Sequence, residues 1–261
     1  SRGLGDVYKR QLVSSINDLL QRLKTSVANQ RRFLADAAHQ LKTPLAGLRM
    51  QAEMAQNATG EDITRSLQQI AKSSVRATHT VNQLLALARA ESTGRSLPSI
   101  DVDLAELVRD VIEDSLPRAM DKQIDLGYEG PDQMPKGCVL LGNPTLLREL
   151  VRNLVDNAIN YTPSGGVVTA RVLVDRFSGV QVLQVEDDGP GIPESERQLV
   201  LEPFYRTLGT NVDGSGLGLA IVQEIASQHA ATLQLEDTHP QHTQGRGLKV
   251  TLRFKSASKQ P

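Results

Sequence analysis

The sequence has 261 residues and is poor in several features that mark common classes of protein. Its single cysteine, Cys138, excludes an internal disulfide and a cysteine metal cluster, and the apolar run that follows predicts a core position for it. With four tyrosines, four phenylalanines and no tryptophan, the chain lacks side chains for stacking nucleic-acid bases. The 29 basic and 30 acidic residues leave a net charge of −1, so we expect no nucleic-acid partner.

Long hydrophobic runs are also absent. No stretch reaches the roughly 18 apolar residues of a membrane span, and no secretory leader is recognisable, so the sequence as given is expected to be soluble. Residues 1–11 show no apolar periodicity and are set apart from the fold as a candidate non-native lead. Helical patterning begins directly after them, as it would in the cytoplasmic part of a longer protein.

Two long helices are predicted in the first third of the chain. From Leu12, apolar residues recur in steps of three and four, which predicts one helix that ends at Asn57–Gly60, and a second series runs from Ile63 to Ala88. We expect residues 12–92 to form a helical hairpin. Each apolar seam is too narrow to enclose a core, so we expect a homodimer with a four-helix bundle. The alternative is that the seam packs on the C-terminal domain of the same chain.

The pattern changes after a linker over residues 93–98, which is rich in small residues and ends in proline. Residues 99–256 form a second domain, and residues 257–261 are a tail. The predicted helices span 104–120, 144–160 and 217–229, and the predicted strands span 124–128, 139–141, 167–174, 180–185, 233–235 and 248–254. The expected fold class is multidomain α and α+β, with the hairpin followed by an α/β sandwich that has a mixed sheet.

His39 is the first candidate for chemistry, since it lies in the long helical run with Pro44 five residues later. A neutral imidazole is a nucleophile near neutral pH, and the proline favours a bend in the next turn. Taken alone, the segment fits a surface histidine on a coiled-coil helix equally well.

Two asparagines, Asn153 and Asn157, are four residues apart on the helix predicted over 144–160, so both carboxamides project from one face. Their oxygens are of the type that Mg2+ prefers, in a shell shared with phosphates and water. The alternative is a pair of helix-surface amides.

An acidic pair, Asp187-Asp188, ends a predicted strand and precedes Gly189 and Gly191. The glycines let backbone approach a ligand closely, and a carboxylate at the strand end can accept a hydrogen bond from the exocyclic amine of adenine. The alternative is a simple tight turn.

Glycines at every second position, Gly214, Gly216 and Gly218, precede an apolar helix whose free N-terminal amides suit a phosphate chain. No Gly-Lys-Ser/Thr sequence follows, so the motif is not a P-loop. Upstream, Arg206 begins a poorly patterned run that predicts a mobile lid, and Phe204 belongs either to this site or to the core.

Together and in this order, the clusters resemble the sensor histidine kinases, in which a dimerisation and phosphoacceptor hairpin precedes an ATP-binding domain of the Bergerat type. The resemblance covers Leu12 to Phe254 and implies ATP and Mg2+ as ligands. It implies that His39 is the phosphoacceptor and that Gln40 and Thr43 are catalytic. The implied ATP-binding residues are Asn153, Asn157, Tyr161, Asp187, Gly189, Gly191, Phe204, Arg206, Gly214, Gly216, Leu217 and Gly218. The implied metal ligands are Asn157, as the first choice, and Asn153.

For activity, the resemblance implies transfer of the ATP γ-phosphoryl group to His39 and onward to an aspartate of a response regulator receiver domain. It also implies dephosphorylation of that regulator through Thr43. The implied setting is the cytoplasmic portion of a bacterial inner-membrane sensor, attached to the membrane only through an N-terminal region absent from this sequence. The segment Asp36–Gly47 is most similar to the subgroup that senses tricarboxylates.

Two positions depart from the family pattern. Gln40 stands where the family usually has an acidic base beside the histidine, so it could orient the imidazole but not take its proton. Asn160 stands where many members have a lysine that contacts phosphate. Two other functions stay open: a dimeric scaffold that only binds nucleotide, and an ATP hydrolase of the same superfamily. Asn153 disfavours the hydrolase, because such enzymes carry a glutamate base at that position.

Overall fold

The structure is a computed structural model that divides into two compact units, Ser1–Val81 and Asn82–Pro261. The residues it describes are 2–56, 59, 61–93, 99–135, 138, 140–175, 178–207, 215–241 and 245–255. Across these ranges, no helix combines the length and the apolar character that a bilayer span requires.

The first unit is helical. Helix α1 spans Arg2–Gln56, and helix α2, which continues into the second unit, spans Glu61–Thr93. Both predicted helices are confirmed, although α1 begins at Arg2, before the first periodic residue, and α2 ends at Thr93, the first residue of the predicted linker. Pro44 lies inside α1, which continues through it. Of the predicted turn at Asn57–Gly60, only Thr59 lies among the described residues.

The described apolar residues in the N-terminal half of the α1 seam are exposed in the single chain. Leu12 is 63% exposed, Leu19 is 68% exposed and Leu23 is 60% exposed, and these positions follow the predicted steps along one stripe of the helix. An apolar stripe of this length on a stable helix normally packs against another apolar surface.

The second unit is built on a five-stranded mixed sheet. Its strands are β2 (Asp125–Glu129), β4 (Val167–Val174), β5 (Gln181–Asp187), β6 (Thr232–Glu236) and β7 (Lys249–Phe254). Their order is β2-β4-β5-β7-β6, in which β2 and β4 are parallel and the other neighbours are antiparallel. A separate antiparallel pair joins β1 (Ile100–Val102) to β3 (Leu140–Gly142). The predicted mixed sheet is confirmed.

Three helices pack on this sheet, and α4 is central because it contacts both of the others as well as β4 and β5. They are α3 (Leu104–Asp121), α4 (Pro144–Tyr161) and α5 (Gly218–Gln228). Asp103 caps α3 by accepting from the Glu106 N–H at 3.0 Å, and Asn143 caps α4 by accepting from the Leu146 N–H at 3.0 Å. These caps fix the helix starts that the sequence predicted.

The core lies between the helices and the sheet. On α4, Leu147, Leu150 and Leu154 are buried at helical spacing, while Val168 and Ala170 are buried at every second position of β4. The helical spacing of apolar residues in α4 and their alternation in β4 therefore correspond to the faces that each element buries.

Short elements and one side chain differ from the sequence prediction. Strand β1 and two 3-10 helices, Glu194–Glu196 and Leu199–Leu201, were not predicted, because three residues are too few to show a period. Cys138 is only half-buried, so the predicted core position is wrong; of the apolar run that contains it, Leu140 and Leu141 lie in β3.

Candidate active site

Asn157 of α4 lies directly against the start of α5. A Cβ atom added to Gly218 would be 2.8 Å from the Asn157 Nδ2 and 2.9 Å from its Oδ1. Only glycine permits this approach of the carboxamide to the helix terminus. Two clusters that are separate in the sequence, one on α4 and one before α5, therefore form one site.

The two asparagines of α4 are not equivalent. Asn153 is 4% exposed, and its Nδ2 donates to the backbone oxygen of Glu149 at 2.8 Å and to the Glu149 Oε1 at 3.1 Å. Asn157 is half-exposed beside Gly218. The more accessible carboxamide is therefore that of Asn157, and its role as the first metal ligand stays a prediction.

No side chain among the described residues caps the first turn of α5. By contrast, Asp103 caps α3 and Asn143 caps α4, whereas the N-cap position of α5 is Leu217, whose side chain has no acceptor. Just before it, Gly216 takes a positive φ of +73°, and the Leu217 N–H donates to the Ser215 Oγ at 3.2 Å. Uncapped amides at a helix N-terminus, with the partial positive charge of the helix, are a binding site for phosphate groups.

Phe204 is tied to the same turn. It takes a positive φ of +68°, and its N–H donates to the Gly216 oxygen at 2.9 Å. A Cβ at Gly216 would meet the Phe204 carbonyl carbon at 2.7 Å, so glycine is required there too. Phe204 is half-buried and part of this turn, while Arg206 is exposed. Gly214 and the rest of the predicted lid over 208–214 lie outside the described residues.

Asp187 ends β5 as a buried carboxylate, with 6% of its surface exposed. Its Oδ1 accepts the N–H of Gly189 at 2.8 Å and the N–H of Leu248 at 3.2 Å. Burial raises the pKa of Asp187 from 3.8 to about 6, the two backbone donors oppose this rise, and the charge of Asp188 adds to it. Both donors engage Oδ1, so among the described residues Oδ2 is left for a ligand such as the adenine amine.

Gly189 joins the carboxylate to the end of α4. A Cβ there would be 2.7 Å from the Asp187 Oδ1 and 3.2 Å from the backbone oxygen of Tyr161, the last residue of α4. Tyr161 lies one turn after Asn157, so α4 connects the carboxylate with the uncapped start of α5. The acidic pair and the start of α5 therefore both adjoin the C-terminal half of α4, and Phe204 is joined to the same site through Gly216.

The loop before β7 is a part of the site that the sequence reasoning missed. Gly247 takes a positive φ of +65°, its N–H donates to the Gly189 oxygen at 2.9 Å, and a Cβ at this position would clash with the Asp187 carbonyl oxygen. Leu248 supplies the second donor to Asp187. The sequence carries a signal for this loop, since Gly245 and Gly247 precede a strand as Gly189 and Gly191 follow one.

Asn160, which departs from the family pattern, is engaged by α3. Its Oδ1 accepts from the Arg118 Nη2 at 2.7 Å, and Arg118 also pairs with Asp156. The backbone oxygens of Ile159 and Asn160 accept from the Lys122 Nζ at 2.7 and 2.6 Å. Two cations of α3 therefore lie against the last turn of α4.

His39, Gln40 and Thr43 lie within α1, and their side chains are outside the described part of the structure. Across the described residues, no three histidine, cysteine, aspartate or glutamate side chains are grouped as a metal cluster. A metal held by two protein amides and a phosphate chain would not form such a cluster.

Comparison with known proteins identifies the same two domains. Residues 142–258 match the family model of histidine kinase-, DNA gyrase B- and HSP90-like ATPases, and residues 29–93 match the His Kinase A phosphoacceptor domain. The chain is 37% identical over 226 residues to the sensor protein QseC of Salmonella typhi, an alignment that covers 86% of this chain and 48% of QseC.

A sequence and a solved structure, both of mycobacterial histidine kinases named MprB, are also similar to this chain. The signal transduction histidine-protein kinase/phosphatase MprB of Mycobacterium sp. (strain KMS) is 37% identical over 239 residues, which cover 88% of this chain and 44% of MprB. A solved structure of the mycobacterial sensor histidine kinase MprB has a TM-score of 0.53 at 30% identity, covering 60% of this chain and 97% of that one. The chain spans about half the length of the curated relatives it matches. With both domains matched and the ATP-side clusters gathered on α4, the chain belongs to the sensor histidine kinases.

Proposed function

We propose that this chain is a histidine autokinase that transfers the γ-phosphoryl group of ATP to His39 and passes it to an aspartate of a response regulator. One observation carries the proposal: the C-terminal half of α4 adjoins both parts of the site. Its Asn157 carboxamide packs on Gly218 at the start of α5, and its last residue, Tyr161, packs on Gly189 beside Asp187. A buried carboxylate for adenine and a helix start without a described side-chain cap, suited to phosphates, thus lie beside the same helix, α4.

The nucleotide would bind with its adenine at Asp187 and its phosphates at α5. The Asp187 Oδ2 would accept the exocyclic amine, while the fixed backbone around Gly189 and Gly191 shapes the adenine edge. Guanine has an oxygen in place of that amine, so the same carboxylate would disfavour it. The amides of the first turn of α5 would receive the phosphate chain.

The donor set fits a magnesium ion that shares its shell with phosphates. Asn157 offers a half-exposed amide oxygen beside the uncapped helix start, and neutral oxygen donors of this kind suit Mg2+. Asn153, held by Glu149, is the second candidate ligand. When bound, the ion would neutralise phosphate charge. The protein itself would position the chain by its amides, and Arg206 would add a cation at the exposed edge.

In the proposed transfer, a neutral ring nitrogen of His39 attacks the γ-phosphorus. A P–N bond forms, the bond from that phosphorus to the β,γ-bridging oxygen breaks, and ADP leaves with the bond electrons. Gln40 would orient the imidazole by a hydrogen bond, since an amide cannot take up its proton at neutral pH. The barrier would be lowered chiefly by alignment and charge neutralisation.

The phosphoimidazole would then donate its phosphoryl group to a receiver aspartate. For the reverse function, we propose that Thr43, one helical turn after His39, orients the water that dephosphorylates the receiver. The relative MprB carries both activities in its name, kinase and phosphatase.

We further propose that the chain acts as a homodimer at the cytoplasmic face of a bacterial inner membrane. The exposed stripe of Leu12, Leu19 and Leu23 supports the dimer, because a second copy would cover it as a helical bundle. The membrane location rests on the sensor proteins to which the chain is similar. The tricarboxylate-sensing subgroup stays a prediction.

The test is self-labelling with γ-³²P-ATP. His39→Gln should abolish acid-labile label while leaving ADP affinity unchanged, because the nucleotide site lies in the second unit. His79→Gln is the matched control, since His79 also lies on the helical hairpin, in α2, and should label normally.

Persistent acid-labile label in His39→Gln would refute the phosphoacceptor assignment. Release of inorganic phosphate without any protein-bound label would instead identify an ATP hydrolase, and ADP binding with neither activity would identify a nucleotide-binding scaffold.

A further inference from the structure

The loop before β7 is fastened to the loop after β5 by backbone contacts. The Gly247 N–H donates to the Gly189 oxygen at 2.9 Å, and a Cβ on Gly191 would be 2.8 Å from the Gly247 oxygen. The neighbouring Leu248 N–H reaches the Asp187 Oδ1 at 3.2 Å. The position of this second loop therefore sets both the wall beside Gly191 and one of the two donors on Asp187.

One arginine outside the predicted site links the same two loops through its side chain. The Arg197 Nε donates to the backbone oxygen of Ile192 at 3.2 Å, and its Nη2 pairs with the Asp237 Oδ1 at 2.6 Å. The side chains of Arg197 and Asp237 are 22% and 13% exposed, so the pair is largely shielded from water. A charge-assisted hydrogen bond in such surroundings is stronger than a surface ion pair.

We propose that Arg197 is a positioning residue for nucleotide binding. By bonding both Ile192 and Asp237, Arg197 fixes the two loops relative to each other. This preserves the hydrogen bond from the Leu248 N–H to the Asp187 Oδ1 and the position of the backbone at Gly191. The inference rests on the proposed function, because it assigns this fixed pair of loops to the adenine side of the ATP site.

The geometry requires arginine. Its planar guanidinium offers several donors at fixed angles, so one side chain can bond a carbonyl and a carboxylate at once. A lysine has a single charged nitrogen at the end of a flexible chain. Both bonds would then have to come from that one atom, whereas Arg197 uses two nitrogens that the guanidinium holds at a fixed spacing.

The experiment compares ADP dissociation constants, by calorimetry on the full chain, for wild type, Arg197→Lys and Arg197→Met. We expect both variants to bind ADP about tenfold more weakly. This factor assumes that part of the free energy of one charge-assisted hydrogen bond is lost from nucleotide binding when the loops are no longer held together. In autophosphorylation, KM for ATP should rise by the same factor, whereas kcat should change less than about twofold, because Arg197 does not touch the reacting atoms.

Arg246→Met is the matched control. Arg246 approaches the same Asp237 carboxylate at 3.6 Å and is 50% exposed, so its loss should change the ADP affinity less than about twofold. The pH profile of ADP binding gives a readout that a purely structural role would not move. The Leu248 oxygen also accepts the Asp187 N–H at 3.0 Å, so loss of Arg197 should lengthen the bond from the Leu248 N–H to the Asp187 Oδ1 without removing Leu248 from the strand. The weaker bond should raise the pKa of Asp187 and shift the acid limb of the profile to higher pH.

Lower melting temperature with unchanged ADP affinity and an unchanged pH profile would overturn the inference, as would an equal loss of affinity in Arg246→Met. If Arg197→Met does not fold, Arg197→Lys decides by the same measurements. A wild-type chain that binds ADP but never labels itself contradicts the autokinase, while the affinity comparison still decides the role of Arg197.

Discussion

Replacing Asp187 by asparagine should stabilise the nucleotide-free protein and weaken ATP binding. The carboxylate is 6% exposed, and burial raises its pKa from 3.8 to about 6. Ionising it is therefore harder in the folded protein than in the unfolded chain. Asparagine carries no charge, and its Oδ1 can still accept the N–H groups of Gly189 and Leu248 that the aspartate Oδ1 accepts.

The raised pKa fixes the sign of the pH dependence. The folded state binds the proton of Asp187 more tightly than the unfolded chain does. Protonation of Asp187 therefore adds to the free energy of unfolding; this contribution is fully present below pH 3.8 and is lost as the pH rises through about 6. The gap between those two values corresponds to about 3 kcal/mol. We expect the Asp187→Asn variant to exceed wild type in free energy of unfolding by about 3 kcal/mol near pH 8 and by less than about 1 kcal/mol near pH 4.

The assay is urea unfolding of the nucleotide-free chain, followed by circular dichroism at several pH values. Asp125→Asn, which removes an exposed carboxylate from β2, is the control for net charge and should leave the difference near zero. Calorimetry on the same samples should show weaker ATP binding, because an amide NH2 in place of Oδ2 presents a donor to the adenine amine, itself a donor.

Equal stability of Asp187→Asn and wild type near pH 8 would refute the burial argument. A difference that stays constant down to pH 4 would do the same, because it could not come from titration of this carboxylate. Unchanged ATP affinity would remove the adenine contact while leaving the stability argument intact.

Two further predictions concern the hairpin and the start of α5. Thr43→Ala should leave self-labelling intact and slow dephosphorylation of the receiver; equal receiver decay with both proteins would exclude Thr43 from that step. Gly218→Ala should weaken ATP binding and slow autophosphorylation by about tenfold or more, because the new Cβ would lie 2.8 Å from the Asn157 Nδ2 and displace that carboxamide. Gly127→Ala is its control, since a Cβ there meets nothing within 4 Å, and an equal effect of both would show a general loss of stability.

The longer elements of the second unit were predictable because each buries one regular face. The strand predicted over 167–174 is β4 without change, and α4 ends one residue later than predicted. Strand β5 extends to Asp187, two residues past the prediction, because the acidic residues at its end pair with β4 although their composition is typical of a turn.

The residues of the candidate site were predictable by type, but their surroundings were not. Gly218 was expected to leave the backbone amides of a helix N-terminus accessible. The structure adds a second reason for glycine at this position, because a Cβ there would clash with the Asn157 carboxamide. Arg197 and Asp237 bear no local pattern, because their pairing joins positions 40 residues apart and depends on how two loops fold. Spacing along a chain predicts contacts within an element, whereas contacts between loops depend on the tertiary fold.

The contact of α3 with the last turn of α4 links substitutions at three positions. Arg118 and Lys122 already bring two positive charges to a helix end whose dipole is negative, and Asn160 accepts from the first of them. A lysine at position 160 would add a third cation and remove the acceptor that Arg118 uses. Asn160→Lys should therefore lower the stability of the second unit in this chain, and it should lower it less when Arg118 is replaced by an uncharged residue.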